Sequence, residues 1–259
     1  MIRNVYNGVF MKSILFSIVV LFALSAKAQT VKVAAASDMK YLMPELVAGY
    51  KTKYPSAAID VSFGSSGLFY QQISNGAAYD IYFSADISYP EKLKDLGFVN
   101  GKVTTYAFGS LVLYSTSIDV SNGIYVLKDD AVKKIAIANP HHAPYGKRAE
   151  ECLKYYKMYD SVKSKLVLGD NITQTAQYTV TGNADVGIIA LALALAPEMK
   201  SKGGYIILDA KTYNPVEQGC VLIRSRQVNP EASRFLKFVL SHECKPLFEK
   251  YGFIVPYYE

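Results

Sequence analysis

The chain has 259 residues, 51% of them hydrophobic, with 28 Lys and Arg against 22 Asp and Glu. That length and apolar content suit a globular protein of one large or two medium domains with a sizeable core. The positive balance is not gathered into the basic stripe of a nucleic-acid binder, so no nucleic-acid partner is expected.

The chain opens on a segment with the form of a secretory signal peptide. Lys12 starts a basic region, Ile14 to Leu24 is an apolar stretch, and Ala26-Lys27-Ala28 offers a small-residue cleavage site before Gln29. The apolar stretch is too short for a bilayer, which needs ~20 residues. Met1 and Met11 both stand as possible starts, and no Cys follows the cleavage site to carry a lipid. Residues 1–28 are therefore expected to be removed. Their loss takes Arg3, Lys12 and Lys27 and no acid, which leaves a mature charge of +3. The expectation is an exported, periplasmic, monomeric protein.

From residue 31 onward strand-like and helix-like runs alternate. Strands are expected at 31–36, 58–63, 80–84, 110–114, 133–138, 185–190, 204–208 and 219–224. Helices are expected at about 43–53, 67–75, 88–96, 145–158, 173–182, 191–202 and 230–250, the last broken near Ser241 to Pro246. Several strands are apolar on both faces, as in sheets covered by helices, and the alternation predicts an α/β fold. The runs at Gly109–Tyr114 and Gly219–Arg224 are matched and a hundred or so residues apart. They suggest two crossing strands that leave and re-enter a first domain.

Four loop-to-helix junctions carry what chemistry the chain offers. The first is Ala34-Ala35-Ala36-Ser37-Asp38, where Ser37 is either a helix cap or a donor to an anion. The second is Phe63-Gly64-Ser65-Ser66-Gly67, whose glycines allow close backbone approach and whose hydroxyls add donors. It is neither a P-loop nor a nucleophile elbow. The third runs from Asn139 to Lys147 and leads into a helix beginning near Pro144 or Tyr145. The fourth is Leu168-Gly169-Asp170-Asn171-Ile172, where Asp170 or Asn171 caps a helix whose first N–H groups belong to residues 172–174. Asp80 and Asp86 flank a strand as a carboxylate pair or as separate turn residues. His141, His142 and His242 are too few and badly spaced for a metal site. Cys152, Cys220 and Cys244 lack zinc spacing, and export permits one disulfide without choosing its pair. No hydrolytic triad, metal cluster or nucleotide fingerprint emerges, and no cofactor is expected.

These motifs resemble a known family, the periplasmic molybdate-binding proteins of ABC transporters. The match rests on Ala34-Ala35-Ala36-Ser37, Ser62-Phe63-Gly64-Ser65-Ser66, Asp80-Ile81-Tyr82-Phe83-Ser84-Ala85-Asp86, Asn139 to Gly146, Ala184-Asp185-Val186-Gly187-Ile188 and Tyr251-Gly252-Phe253, in order and spacing. The resemblance implies an α/β, two-lobed type II periplasmic-binding fold, each lobe a mostly parallel sheet flanked by helices, with the ligand cleft between them. Residues 29–112 and 220–259 would form one lobe and residues 113–219 the other. It implies a tetrahedral oxyanion, molybdate or tungstate, held by Ser37 and Ser66 and by the backbone N–H groups of Tyr145 and Ile172. Molybdenum would enter only as molybdate, through those residues. The receptor would catalyse nothing and would deliver its ligand to a membrane permease and its ATPase. Many relatives place a tyrosine hydroxyl where this chain has Ala190, and Tyr41 or Tyr145 are candidates to replace it. A pocket of N–H and O–H donors alone suits a dianion without a proton. Another oxyanion such as sulfate or phosphate on the same fold is the alternative. A secreted serine hydrolase using Ser37 or Ser66 is a remote one, and it requires a histidine beside the serine.

Overall fold

The first sheet grows from Val31–Ala36 (β1), a central strand of small and branched apolar residues. In this computed structural model, residues 29–224 and 229–256 are described; the expected signal peptide, 1–28, lies outside them. The remaining strands are β2 (Ile59–Gly64), β3 (Ile81–Ser84), β4 (Val99–Gly109), β5 (Leu111–Ser115), β6 (Ile135–Ala138), β7 (Leu166–Gly169), β8 (Val186–Ala190), β9 (Gly204–Ile207) and β10 (Val216–Ile223). They form two five-stranded sheets, ordered β2-β1-β3-β10-β4 and β7-β6-β8-β5-β9.

Both sheets are mixed in the same way. β1 runs parallel to β2 and β3, while β10 runs antiparallel to β3 and β4. In the second sheet β6 runs parallel to β7 and β8, while β5 runs antiparallel to β8 and β9. The antiparallel strands are those flanking the crossings between sheets. β4 ends at Gly109 in the first sheet and β5 begins at Leu111 in the second, so Ser110 alone makes the outward crossing. The chain returns between Ile207 and Val216. Leu111 and Val112 thus sit in the second sheet and Val216 to Gly219 in the first, a few residues from the division expected at 112/113 and 219/220.

The main helices are α1 (Leu42–Lys53), α2 (Ser66–Ser74), α3 (Ser88–Asp95), α4 (Pro144–Tyr155), α5 (Tyr159–Val162) and α6 (Ile172–Val180). After these come α7 (Leu191–Ala194), α8 (Pro197–Lys200), α9 (Pro230–Val239) and α10 (Lys245–Lys250). The single helix expected at 191–202 is two short ones, because Pro197 lacks the N–H that continuation requires and instead opens α8. Helix α9 docks on α1 through Phe235, whose ring meets Tyr50 edge-on at 5.1 Å. The apolar core runs continuously from β1 and α1 through β5 into β6 and β8. Cys152, Cys220 and Cys244 are all buried free thiols.

Candidate functional site

Four chain turns converge where the two sheets face each other. After β1 the chain enters a single 3-10 turn, Ser37–Met39, with no side-chain cap. After β2 it enters α2 directly at Ser66, again uncapped. Helix α4 starts at Pro144, which has no N–H, so Tyr145 supplies the first donor of that uncapped terminus. Helix α6 starts at Ile172 behind Asn171, whose side chain accepts from the Gln174 N–H at 3.0 Å. Asn171, not Asp170, is therefore the cap, and the N–H of Ile172 has no intrahelical partner.

Ser37, Ser66, Tyr145 and Ile172 line one small cavity of about 10 Å³. None is more than 4% exposed, so the cavity is shut from solvent. A larger surface cavity, beside Lys147, Lys154 and Tyr159, is lined by none of Ser37, Ser66, Tyr145 and Ile172. Ser66 Oγ accepts from the Ala85 N–H at 2.9 Å, which leaves its own proton for the cavity.

Direct bonds clamp the halves together. The Thr173 hydroxyl donates to the Ser37 carbonyl at 2.8 Å. The Gly67 N–H donates to the His142 carbonyl at 2.9 Å. The Ser65 hydroxyl donates to the same carbonyl at 2.5 Å, with His142 Nδ1 3.1 Å from Ser65 Oγ. The histidine thus stands beside Ser65, not beside Ser37 or Ser66, and the Ser65 proton is spent on a carbonyl. This is a latch and not a nucleophile–base pair.

The cavity departs from expectation in one respect. It was expected to hold N–H and O–H donors alone, but Asp38 also lines it. Asp38 Oδ2 accepts from the Tyr145 hydroxyl at 2.9 Å and from Gln218 Nε2 at 2.7 Å. Gln218 Oε1 in turn accepts from the Tyr106 hydroxyl at 2.5 Å. Asp38 Oδ1 is buried without a hydrogen-bond partner. Burial raises the carboxyl from its ordinary 3.8 to about 6, against the opposing pull of Gln218, Tyr145 and the backbone of Asp38 and Met39. Burial, and then the charge of Asp38, also push the Tyr145 hydroxyl well above the usual phenol range.

The other sequence candidates fall elsewhere. Ala190 ends β8 opposite Leu111, is fully buried, and is not among the residues lining the cavity. Neither proposed substitute hydroxyl serves there. Tyr41 donates to Glu198 Oε2 at 3.2 Å in a separate surface cleft, and the Tyr145 hydroxyl is committed to Asp38. Asp80 accepts from the Lys32 N–H and Asp86 from the Ser88 N–H, so they are separate turn residues at opposite ends of β3. Among the described residues no cluster of His, Cys, Asp or Glu could hold a metal ion. Asp38 and Gln218 were missed. The signal for Asp38 was its place in the first serine turn; for Gln218 it was a lone amide entering the apolar strand at Gly219.

Two helix-covered sheets that shut a set of hydrogen-bond donors over a small buried cavity have the build of a solute receptor. The chain belongs to the bacterial extracellular solute-binding proteins, whose family model matches residues 31–254. Members bind solutes and are not enzymes. The chain is 34% identical to the molybdate-binding protein ModA of Azotobacter vinelandii, over 90% of this chain and 93% of that one. It is also 34% identical to the protein of the same name from Rhodobacter capsulatus, over 90% and 91%. The solved structure of the Azotobacter vinelandii periplasmic molybdate-binding protein superposes with a TM-score of 0.82 at 31% identity, covering 88% of this chain and 100% of that one. The architecture is the two-lobed type II periplasmic-binding fold.

Proposed function

We propose that this protein is a periplasmic receptor that closes on molybdate, with tungstate as its near equivalent, and hands it to an ABC-transporter permease and its ATPase. The observation that carries the reading is the convergence of Ser37, Ser66, Tyr145 and Ile172 from both sheets on one closed cavity. In this reading Ser37 and Ser66 donate through hydroxyl and backbone, and Tyr145 and Ile172 through backbone N–H. Helix N-termini carry partial positive charge and stabilise an anion without a buried cation that would slow its release. Hydrogen bonds to a charged group contribute roughly 1.5–3 kcal/mol each, so half a dozen support micromolar or tighter binding after closure. The mature chain functions as a monomer after export. The lobes are the two sheets with their helices, joined at Ser110 and at residues 208–215.

Calorimetric titration of the mature protein with molybdate, tungstate, sulfate and phosphate tests this. Molybdate and tungstate should bind tightest. Tight sulfate binding with no molybdate heat refutes the assignment. Asp38 favours one second reading, a protonated oxyanion such as phosphate, because an ionised carboxylate accepts the hydrogen bond that phosphate gives. Phosphate binding above molybdate in the same titration would select it.

A further inference from the structure

The cavity that receives the anion is lined by a buried carboxyl, and the two oxygens of that carboxyl are not equivalent. Oδ2 is saturated by two donors from two elements, Tyr145 on α4 and Gln218 on β10. Oδ1 is buried with no partner. A carboxylic acid carries its proton on one oxygen and accepts on the other. Here the accepting oxygen is already assigned, so the proton belongs on Oδ1.

The surroundings offer no other way to neutralise the charge. The side chains that act on Asp38 are Gln218, Tyr145 and Tyr106, all uncharged, and the backbone contributes only the N–H groups of Asp38 and Met39. A tetrahedral dianion brought into this cavity would meet an ionised Asp38 at close range in a poorly screened interior, which is strongly unfavourable. Protonation removes the repulsion and turns the same atom into a donor.

Resting on the oxyanion-receptor reading, we propose that Asp38 binds the ligand as a neutral acid, donating from Oδ1 to an oxygen of a fully deprotonated oxyanion, so that closure on molybdate takes up one proton. In the closed cleft burial already holds the carboxyl at about 6, so the proton is taken from solvent at neutral pH at modest cost. Affinity then rises as pH falls, and release is favoured where the medium is alkaline.

The test is titration of the mature protein with sodium molybdate at pH 5 to 9, repeated in buffers of different ionisation enthalpy. The expected result is uptake of about one proton per molybdate at pH 8, falling towards zero at pH 5. Kd should weaken roughly tenfold per pH unit above pH 7, as one linked proton requires. Asp38→Asn keeps an acceptor toward Tyr145 and Gln218 and places a permanent N–H donor where the acid proton would sit. It should show no proton uptake and a flat Kd, and should bind more tightly than the parent at pH 8. Molybdate binding with no proton uptake at any pH overturns the inference and leaves the receptor reading standing. Absence of molybdate binding at every pH overturns both. The parent titration alone decides the matter if the variant fails to fold.

Discussion

Ser66 carries two duties at one oxygen. Its Oγ accepts the Ala85 N–H, and its proton faces the cavity. On the proposed receptor reading Ser66→Ala removes a ligand donor, and it also orphans the buried Ala85 amide. Loss of a charge-assisted bond predicts an affinity drop of roughly tenfold to a hundredfold for molybdate, and the unpaired Ala85 amide about 1–3 kcal/mol of stability. Unchanged affinity by calorimetry would remove Ser66 from the site. Asp38 gives a second prediction, for the closed form without ligand. Its folded value of about 6 lies above the ordinary 3.8. Between those values the folded chain holds a proton that the unfolded chain has released, so stability falls as pH rises through the window and is level above it. The total is about 3 kcal/mol. Denaturant titration at pH 4 and pH 7 should show the parent losing about 2 kcal/mol of it relative to Asp38→Asn, in which the slope is gone; parallel curves would refute the raised value. The roles of these two residues were unequally legible in the sequence. Ser66 sits in a Gly-Ser turn whose composition alone points to donors. Asp38 lies in an equally visible turn, but nothing local shows that its carboxyl faces the cavity. Its partners, Tyr145 and Gln218, lie 107 and 180 residues away.

Elements rather than residues set how closely the cleft shuts. The start of α2 presses against the loop before α4, and Gly67 is the point of contact. A Cβ there would stand 2.6 Å from the His142 carbonyl oxygen and 2.9 Å from its Cα. Backbone cannot yield at such distances as a flexible side chain could. Gly67→Ala should thus hold the cleft ajar, and overpacking of roughly 1–3 kcal/mol paid on closure weakens ligand binding by about 10-fold to 100-fold. Its unliganded thermal midpoint should stay close to the parent's, since an open molecule avoids the clash. A large loss of midpoint with unchanged affinity would contradict this. Ala190→Tyr is the opposite case. Ala190 is fully buried at the end of β8, away from the cavity lining, so a phenol there overpacks the second sheet and lowers the thermal midpoint without adding a ligand donor. Tighter molybdate binding by that variant would show the reverse. The same scale explains which elements escaped the sequence. The strands β1, β3, β6 and β8 are apolar on both faces because neighbours and helices bury them, and their runs stand out. The missed strands, β4 and β7, are sheet edges. β4 carries Asn100, Gly101, Lys102, Thr104 and Thr105, as expected of an edge that must not recruit another strand, and β7 has only four residues.

The whole molecule is two sheets held by a one-residue crossing at Ser110 and a return through residues 208–215. Few covalent constraints oppose rotation about so short a connection. What holds the cleft shut is the set of direct bonds across it: Thr173 to Ser37, Gly67 and Ser65 to His142, and Tyr145 to Asp38. Each is a hydrogen bond that water replaces when the lobes part, so each contributes only about 0.5–1.5 kcal/mol net, and the unliganded clamp is weak. An anion between Ser37 and Ser66 on one side and Tyr145 and Ile172 on the other adds bonds to both halves that no single open lobe can make. Ligand should therefore select the closed form and couple the two halves in unfolding. At a hundred times Kd the linkage is worth about 2.7 kcal/mol, which for a chain of this size raises the thermal midpoint by roughly 5–10 °C. The radius of gyration from small-angle scattering should fall on adding molybdate, and Gly67→Ala should blunt both changes. A midpoint shift with no compaction would mean that the clamp alone already keeps the cleft shut. In that case the ligand would have to enter by local opening at the Ser65–His142 latch rather than by movement of whole lobes.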